Sequence, residues 1–474
     1  MPETSSLQDP RLPDKKALQI IPWIIAIAFF MQMLDTSILN SAIPAIARDL
    51  NENALSMHWV VISYTLAVGV LMPVSGWIAD YFGMRVVLVA AIALFSLGSL
   101  LCAASFSLPM LIASRVVQGI GGAFMVPVGR LLVLRVYPRK RLVEVLSFIT
   151  VPGLIGPLLG PAVGGFLVEY ATWHWIFLIN LPVGLLGGLA VWHYIPNLKQ
   201  SKVSHFDYSG FLLFGVAIVL LTLALDSAGE QGQSHVSGWK LGLSGAVGAV
   251  CLALYWLRAR NATEPLFSLA LFRIRSFSIG ILGNIFTRLA SSGMPFLTPL
   301  LLQVVIGYPP FQAGLIMIPM TITSIFSKAI APPLLKRFGY RWVLFVNTLL
   351  LGTAIASFSL MASGMSLVSI LLFFAAFGAI NSLQFTAINT LALIDLPPDL
   401  AGSGNSLVSV VMQLSVSLGV ALAASLLTIF SIGQSTPSAG LAGVFYHTYL
   451  CMGGISVIAA LLFLFIRRES GRED

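Results

Sequence analysis

Asp35 sits inside an apolar stretch, Phe29 to Pro44, that reads as a membrane-spanning helix. An ionised acid in hydrocarbon is costly, so it is expected to face a bundle interior or a water-filled path and to do a job there. On a helix, Gln32, Thr36 and Asn40 recur every four residues beside it, which makes one polar stripe on an apolar rod. Arg115 is the natural counterpart. By residue count both groups lie roughly 8 or 9 Å below the outer ends of their helices. A guanidinium within reach stabilises the ionised acid while burial opposes it, a balance suited to taking up and releasing a proton. Gln118, Gly119 and Gly122 share the helical face of Arg115, so a guanidinium and an amide are expected above a groove open to another helix or a ligand.

Such groups need a scaffold of spanning helices, and the composition provides one. The chain of 474 residues is 57% hydrophobic and only 9% charged, with a mean hydropathy of +0.93. That is the signature of an all-α polytopic membrane protein, because backbone amides in lipid must be satisfied within each span. The formal charge of +8 is dispersed in short clusters between apolar runs, which reads as topology signals and not as a nucleic-acid surface. Cys102, Cys251 and Cys451 stand alone in separate apolar runs and are expected to be packing residues, with no metal site and no cofactor.

Apolar runs fall at about 18–40, 55–79, 86–106, 109–133, 142–168, 173–194, 208–226, 239–257, 276–302, 311–334, 342–362, 366–391, 402–428 and 446–466, fourteen in all. On this map the tails and the loops after even-numbered spans hold nearly all the Lys and Arg outside the spans, whereas the other side has Arg48 and Lys240. The first apolar run is too long for a signal-peptide core and is expected to stay uncleaved, and the even count with this asymmetry predicts both termini in the cytoplasm. Phe82-Gly83-Met84-Arg85 after the second span is repeated as Phe338-Gly339-Tyr340-Arg341 after the tenth, which makes the two halves related only if spans seven and eight are an insertion. The expected organisation is a tail (1–17), a six-helix bundle (18–195), a linker with two extra spans (196–258), a second six-helix bundle (259–466) and a tail (467–474).

The fifth span carries Gly153, Gly156, Gly160 and Gly164 in helical register, with Pro157, Pro161 and Gly165 interleaved. The glycines allow close helix packing and the prolines bend the rod. This stretch resembles the antiporter motif of exporters in the major facilitator superfamily. Gly76 to Arg85 resembles the superfamily signature, and the Arg115 stretch resembles its proton-coupling motif. Leu34 to Pro44 and Trp173 to Pro182 are similar to motifs of the fourteen-span drug:proton antiporters. The resemblance implies two six-helix bundles rocking about a central cavity, with two extra helices between them. It further implies that Arg115 assists proton transfer, that Asp80 and Arg85, around Gly83, form a cytoplasmic latch, and that Gly153 to Gly165 form a bending interface between the halves.

The chain departs from that family in two places. Tyr81 and Met84 stand where basic residues are common in the latch. Spans nine to fourteen contain no acid away from their ends, but do contain Arg288 and Lys328. Arg288, near the middle of span nine, needs a partner or a cavity, and a cavity with one acid and more than one base suits neutral or anionic amphiphiles better than dications. All six histidines, His58 among them, are expected at interfaces. The reading is a monomeric inner-membrane exporter of small amphiphiles or drugs, driven by the proton gradient, with no nucleic-acid partner. Asp35 and Arg115 would couple the proton, and Gln32, Thr36, Asn40, Gln118 and Arg288 would line the cavity. The alternative is a uniporter or proton symporter of a metabolite on the same fold.

Overall fold

A computed structural model describes residues 15–200, 205–230, 237–262, 265–361, 365–431 and 439–466. The expected tails, 1–14 of the first and all of 467–474, lie outside these residues. Among the described residues every regular element is helical. The first six spans are α1 (Lys15–Asp49), α2 (Ala54–Phe82), α3 (Met84–Ala103), α4 (Leu108–Val136), α5 (Arg139–Tyr170) and α6 (Trp175–Tyr194). Then come α7 (Tyr208–Glu230), α8 (Ser237–Asn261) and α9 (Arg275–Val305).

The next helix, Pro310–Leu360, has 51 residues. As one rod it would be about 77 Å long, more than twice the roughly 30 Å of a hydrocarbon core. Gly339 breaks it with φ 74°, ψ 159°, giving α10 (310–338) and α11 (340–360). With α12 (Leu367–Ile394), α13 (Pro398–Ser431) and α14 (Gly440–Phe465) the thirteen long apolar helices become fourteen spans. Gly83 between α2 and α3 has φ 97°, ψ 145°. Both copies of Phe-Gly-x-Arg therefore turn on a glycine in backbone space that other residues rarely enter. The sequence repeat is also a repeat of shape.

The spans are longer than their apolar runs. α1 continues through Pro44 to Asp49, and α5 remains helical through Pro152, Pro157 and Pro161. α9 is interrupted at Ser292–Gly293 and ends in a π turn, Leu301–Val305.

The halves meet towards one end. A single apolar core joins Ile38, Ala42 and Ile46 of α1 to Phe296 and Leu301 of α9 and to Ala313 of α10. At the other end separate cores serve α1–α6 and α10–α14, and the halves stay in touch through α2 and α13, where the Thr65 and Ser417 hydroxyls are 2.8 Å apart and a Cβ at Gly69 would strike Leu414. Gln303 donates to the Ser41 carbonyl at 2.9 Å, and the Phe311 amide donates to Glu169 at 3.0 Å. The glycine stripe of α5 is divided between its own half and this contact. A Cβ at Gly153, Gly156, Gly160 or Gly164 would strike α1, at Phe29, Met33–Leu34, Ser37 or Ile38. Most of the stripe, expected as a bending interface between the halves, thus packs inside the first half against α1. The crossing to α10 is made by its other face and its last turn: a Cβ at Gly165 would collide with the Pro310 carbonyl oxygen, and one at Gly314 with that of Pro161. Pro157 also accepts from Thr321 at 3.4 Å.

α7 lies along α13 and is pinned there by Ser425 donating to the Leu225 carbonyl at 2.6 Å. It reaches α2 through His58, whose Nε2 is 2.6 Å from Asp226 Oδ1 while its Nδ1 is 2.6 Å from the Leu55 carbonyl oxygen. His58 stands near the end of its span and is buried there against the protein. A histidine beside an apolar run carries no sign of an acid 168 residues away.

Candidate functional site

Asp35 is 2% exposed and lies between α1, α4 and α6. Its Oδ2 accepts from Arg115 Nη1 at 2.8 Å, and its Oδ1 accepts from Gln118 Nε2 and Asn180 Nδ2, each at 2.7 Å. Arg115 uses its Nε on the Val60 carbonyl of α2 at 3.2 Å and stacks over the Tyr64 ring at 4.3 Å. Ser99 of α3 lies behind, 2.7 Å from Gln118 Nε2 and 3.2 Å from Asn180 Nδ2, and the Cys102 thiol reaches Gln118 Oε1 at 3.8 Å. This closeness depends on glycine: a Cβ at Gly98 would collide with the Gln118 amide, and one at Gly121 with that of Phe95. A buried ion pair repays its desolvation only when such additional hydrogen bonds complete it. Here α1, α2, α3, α4 and α6 all contribute.

The residue count that put Asp35 and Arg115 at one depth is matched by their contact. Gln118 belongs to this knot, fully buried, and does not line an open cavity. The groove over Gly119 and Gly122 is filled by α2: a Cβ at Gly119 would meet Ala67 and the Tyr64 backbone, and one at Gly122 the Tyr64 hydroxyl. Asn180 and Ser99 join the site without having been singled out by pattern. Asn180 lies in a recognisable motif, but a lone small polar residue carries no periodic signal.

The Gln32–Thr36–Asn40 stripe is a separate face. Thr36 donates to the Gln32 carbonyl and Asn40 to that of Thr36, at 2.9 and 3.3 Å. Gln32 Oε1, Asn40 Oδ1 and the Tyr64 hydroxyl are buried without a hydrogen-bond partner among the described residues. Unmatched polar atoms in a membrane interior are expensive unless something else meets them.

Arg288 lies in the second half. Its Nε donates to Asn284 Oδ1 at 3.1 Å, its guanidinium stacks over Phe385 at 4.6 Å, and its Nη2 is buried with no partner among the described residues. It borders a cavity of about 200 Å³ shared with Asn284, Thr287, Ser291, Asn381 and Gln384. Asn284 is fixed by Asn389 at 3.1 Å, and Gln384 by Asn347 and Thr348 at 2.9 and 2.8 Å. No acid is found among the described residues that line it. Lys328 is half-buried and does not line it.

At the opposite end from the interhalf contacts, the latch is wired differently from expectation. Asp80 pairs with Arg135 of α4 at 2.5 Å, whereas Arg85 donates its Nε to the Ile195 carbonyl. The segment of chain after α6 covers the turn: Met84 donates to Leu198 and Gln200 to Asp80, both through backbone at 3.2 Å, and a Cβ at Gly83 would collide with Asn197. An acid and a base five residues apart face different helices here, which is why their proximity in sequence misled.

A multi-pass helical bundle with a closed charge knot in one half and a polar pocket in the other is the architecture of a membrane transporter. Solved structures similar over nearly its whole length include a bacterial homologue of the human lysosomal transporter Spinster (TM-score 0.69, 15% identity, 95% of this chain and 97% of that one). Another is a POT-family transporter in complex with 5-aminolevulinic acid (TM-score 0.69, 16% identity, 96% and 98%). At such identities they speak for the fold alone. The family model described as Major Facilitator Superfamily matches residues 25–420, and the chain belongs to that superfamily. Among curated relatives, putative multidrug resistance protein MdtD of Pectobacterium atrosepticum is 49% identical over 444 residues (93% of this chain, 94% of that one). MdtD of an Escherichia coli O81 strain is 48% identical over 457 residues (95% of each).

Proposed function

We propose that the protein exports small amphiphilic compounds or drugs across the bacterial cytoplasmic membrane, in exchange for protons, by alternating access. It works as a monomer with both termini in the cytoplasm, and the proton gradient takes the place of any cofactor. The observation that carries the reading is the closed Asp35–Arg115 pair, 2.8 Å apart and out of water. Protonating Asp35 removes the charge that holds Arg115, Gln118 and Asn180 together. Further along the same helix, Ser41 is tied to Gln303 of the second half, so loosening the knot is transmitted by a rigid rod to the contact between halves. Proton entry from outside then accompanies substrate release outward, and proton loss inside resets the carrier. The relatives' names support drugs as cargo. The unpaired Arg288 Nη2, in a pocket without a lining acid, favours neutral or anionic ones.

The test uses proteoliposomes with an imposed pH gradient and an internal pH dye, comparing wild type with Asp35→Asn across a panel of neutral and anionic compounds. Substrate-dependent proton flux that disappears in the variant, with binding retained, supports exchange through Asp35. Substrate movement indifferent to both the gradient and the substitution leaves a facilitator in which Asp35 is structural.

A further inference from the structure

The two extra helices enclose a space against the flank of the second half. Between α7 and α8 on one side and α9 and α13 on the other lies a crevice of about 570 Å³, walled by Phe214, Leu252, Trp256, Ile281, Ile285 and Leu414. Its walls are almost entirely apolar, and water cannot occupy such a space stably. Its wall residues come from the first part of α7 and the last part of α8, on the side of the bilayer where both termini are expected. Leu252, Ala253 and Trp256 are exposed on the bundle surface, so the crevice opens to lipid.

Its mouth is basic. Trp256 and Phe272 meet edge to face at 5.7 Å, and the Arg260 guanidinium stands 5.8 Å over the Trp256 ring. Arg273 and Arg275 follow close behind Phe272 and are exposed. The acid at this corner, Asp207, is already engaged by Arg258 at 2.9 Å and by the backbone amides of Gly210 and Leu266. That knot fixes the loop floor of the crevice to the base of α7. It leaves Arg260 and Arg273 without a compensating acid among the described residues.

We propose that this crevice is a binding site for one anionic phospholipid, with an acyl chain between α8 and α9 and its phosphate against Arg260 and Arg273. Basic pockets between spanning helices on the cytoplasmic side recognise anionic headgroups in this way. The site does not depend on the transport reading, and it accounts for the inserted hairpin, which completes a lipid seat on the flank of the second half.

Native mass spectrometry of the purified protein, titrated with phosphatidylglycerol and phosphatidylethanolamine of identical chains, tests the site. Wild type is expected to retain one phosphatidylglycerol with a preference on the order of tenfold, as two arginines near the surface would give. Arg260→Gln with Arg273→Gln should reduce that preference towards unity, and both side chains are exposed, so the fold is unaffected. Ala253→Trp should fill the crevice and remove bound lipid of either kind. Equal retention of the two lipids by wild type overturns the proposal, as does retention unchanged by both sets of substitutions. A lipophilic dye that binds the crevice and is not displaced by phosphatidylglycerol would also overturn it, assigning the space to cargo instead.

Discussion

Arg115 and Arg288 are both sunk in spans, one in each half, and the protein treats them in opposite ways. Arg115 has a carboxylate, a backbone carbonyl, an amide and an aromatic face. Arg288 has one amide and one ring, with an Nη2 that finds no hydrogen-bond partner among the described residues and a polar cavity beside it. A completed charge cluster stores a state; an incomplete one awaits a partner. On the function proposed above, the proton belongs to the first half and the recognition of cargo to the second.

The sharpest way to break this contrast is to remove one member of the completed cluster. Arg115→Gln leaves Asp35 without its ion and should destabilise the protein by about 3–5 kcal/mol, whereas Asp35→Asn combined with Arg115→Gln should recover part of that loss. Thermal unfolding in detergent reads both, and a single variant as stable as wild type would deny the knot its role.

A wedge at the contact between halves comes next. Gly314→Val places bulk where even a Cβ would collide with the Pro161 oxygen, an overpacking of about 1–3 kcal/mol. The penalty falls on the state in which α5 and α10 touch, so distances between spin labels at the exposed positions Phe106 and Leu360 should lengthen.

Arg288→Leu should behave in the opposite sense from Arg115→Gln. Stability should change by less than about 1.5 kcal/mol, since no ion pair is lost and a poorly satisfied group is removed. Binding of anionic cargo, measured by calorimetry, should fall by about tenfold or more while neutral cargo is spared.

The smallest effect is expected at Asp207, just ahead of α7, paired with Arg258 in the last turn of α8. Burial pushes its carboxyl up, but the Gly210 amide, Arg258 and the Leu266 amide outweigh it and hold the group below the usual carboxylate range. A lowered acid contributes stability above its unfolded value, near about 3.9, and loses it as pH falls through its folded one. Asp207→Asn should therefore melt earlier than wild type at neutral pH, by about 1 kcal/mol or less, and the two should converge below about pH 4.

Much of the architecture is legible in the sequence because spans are written in runs of apolar residues and counted depth is physical depth. Asp35 and Arg115 are matched by that count, and the paired Phe-Gly-x-Arg turns declare the repeat. What stays hidden is whatever depends on which faces meet. Asn180 and Ser99 complete the knot from helices whose rotation no spacing reveals. Arg135 takes the place expected for Arg85 from 55 residues away. The glycine stripe announces close packing without saying against which neighbour.

Gly339 carries a further consequence, for how the chain is made. A single residue separates α10 from α11, as Gly83 alone separates α2 from α3. Two spans joined by so short a link have little slack for one to cross the bilayer while its neighbour waits in water, so each pair is expected to enter as a hairpin. The same glycine turn that relates the halves by shape thus sets two points in biogenesis at which a pair of helices commits to the membrane together.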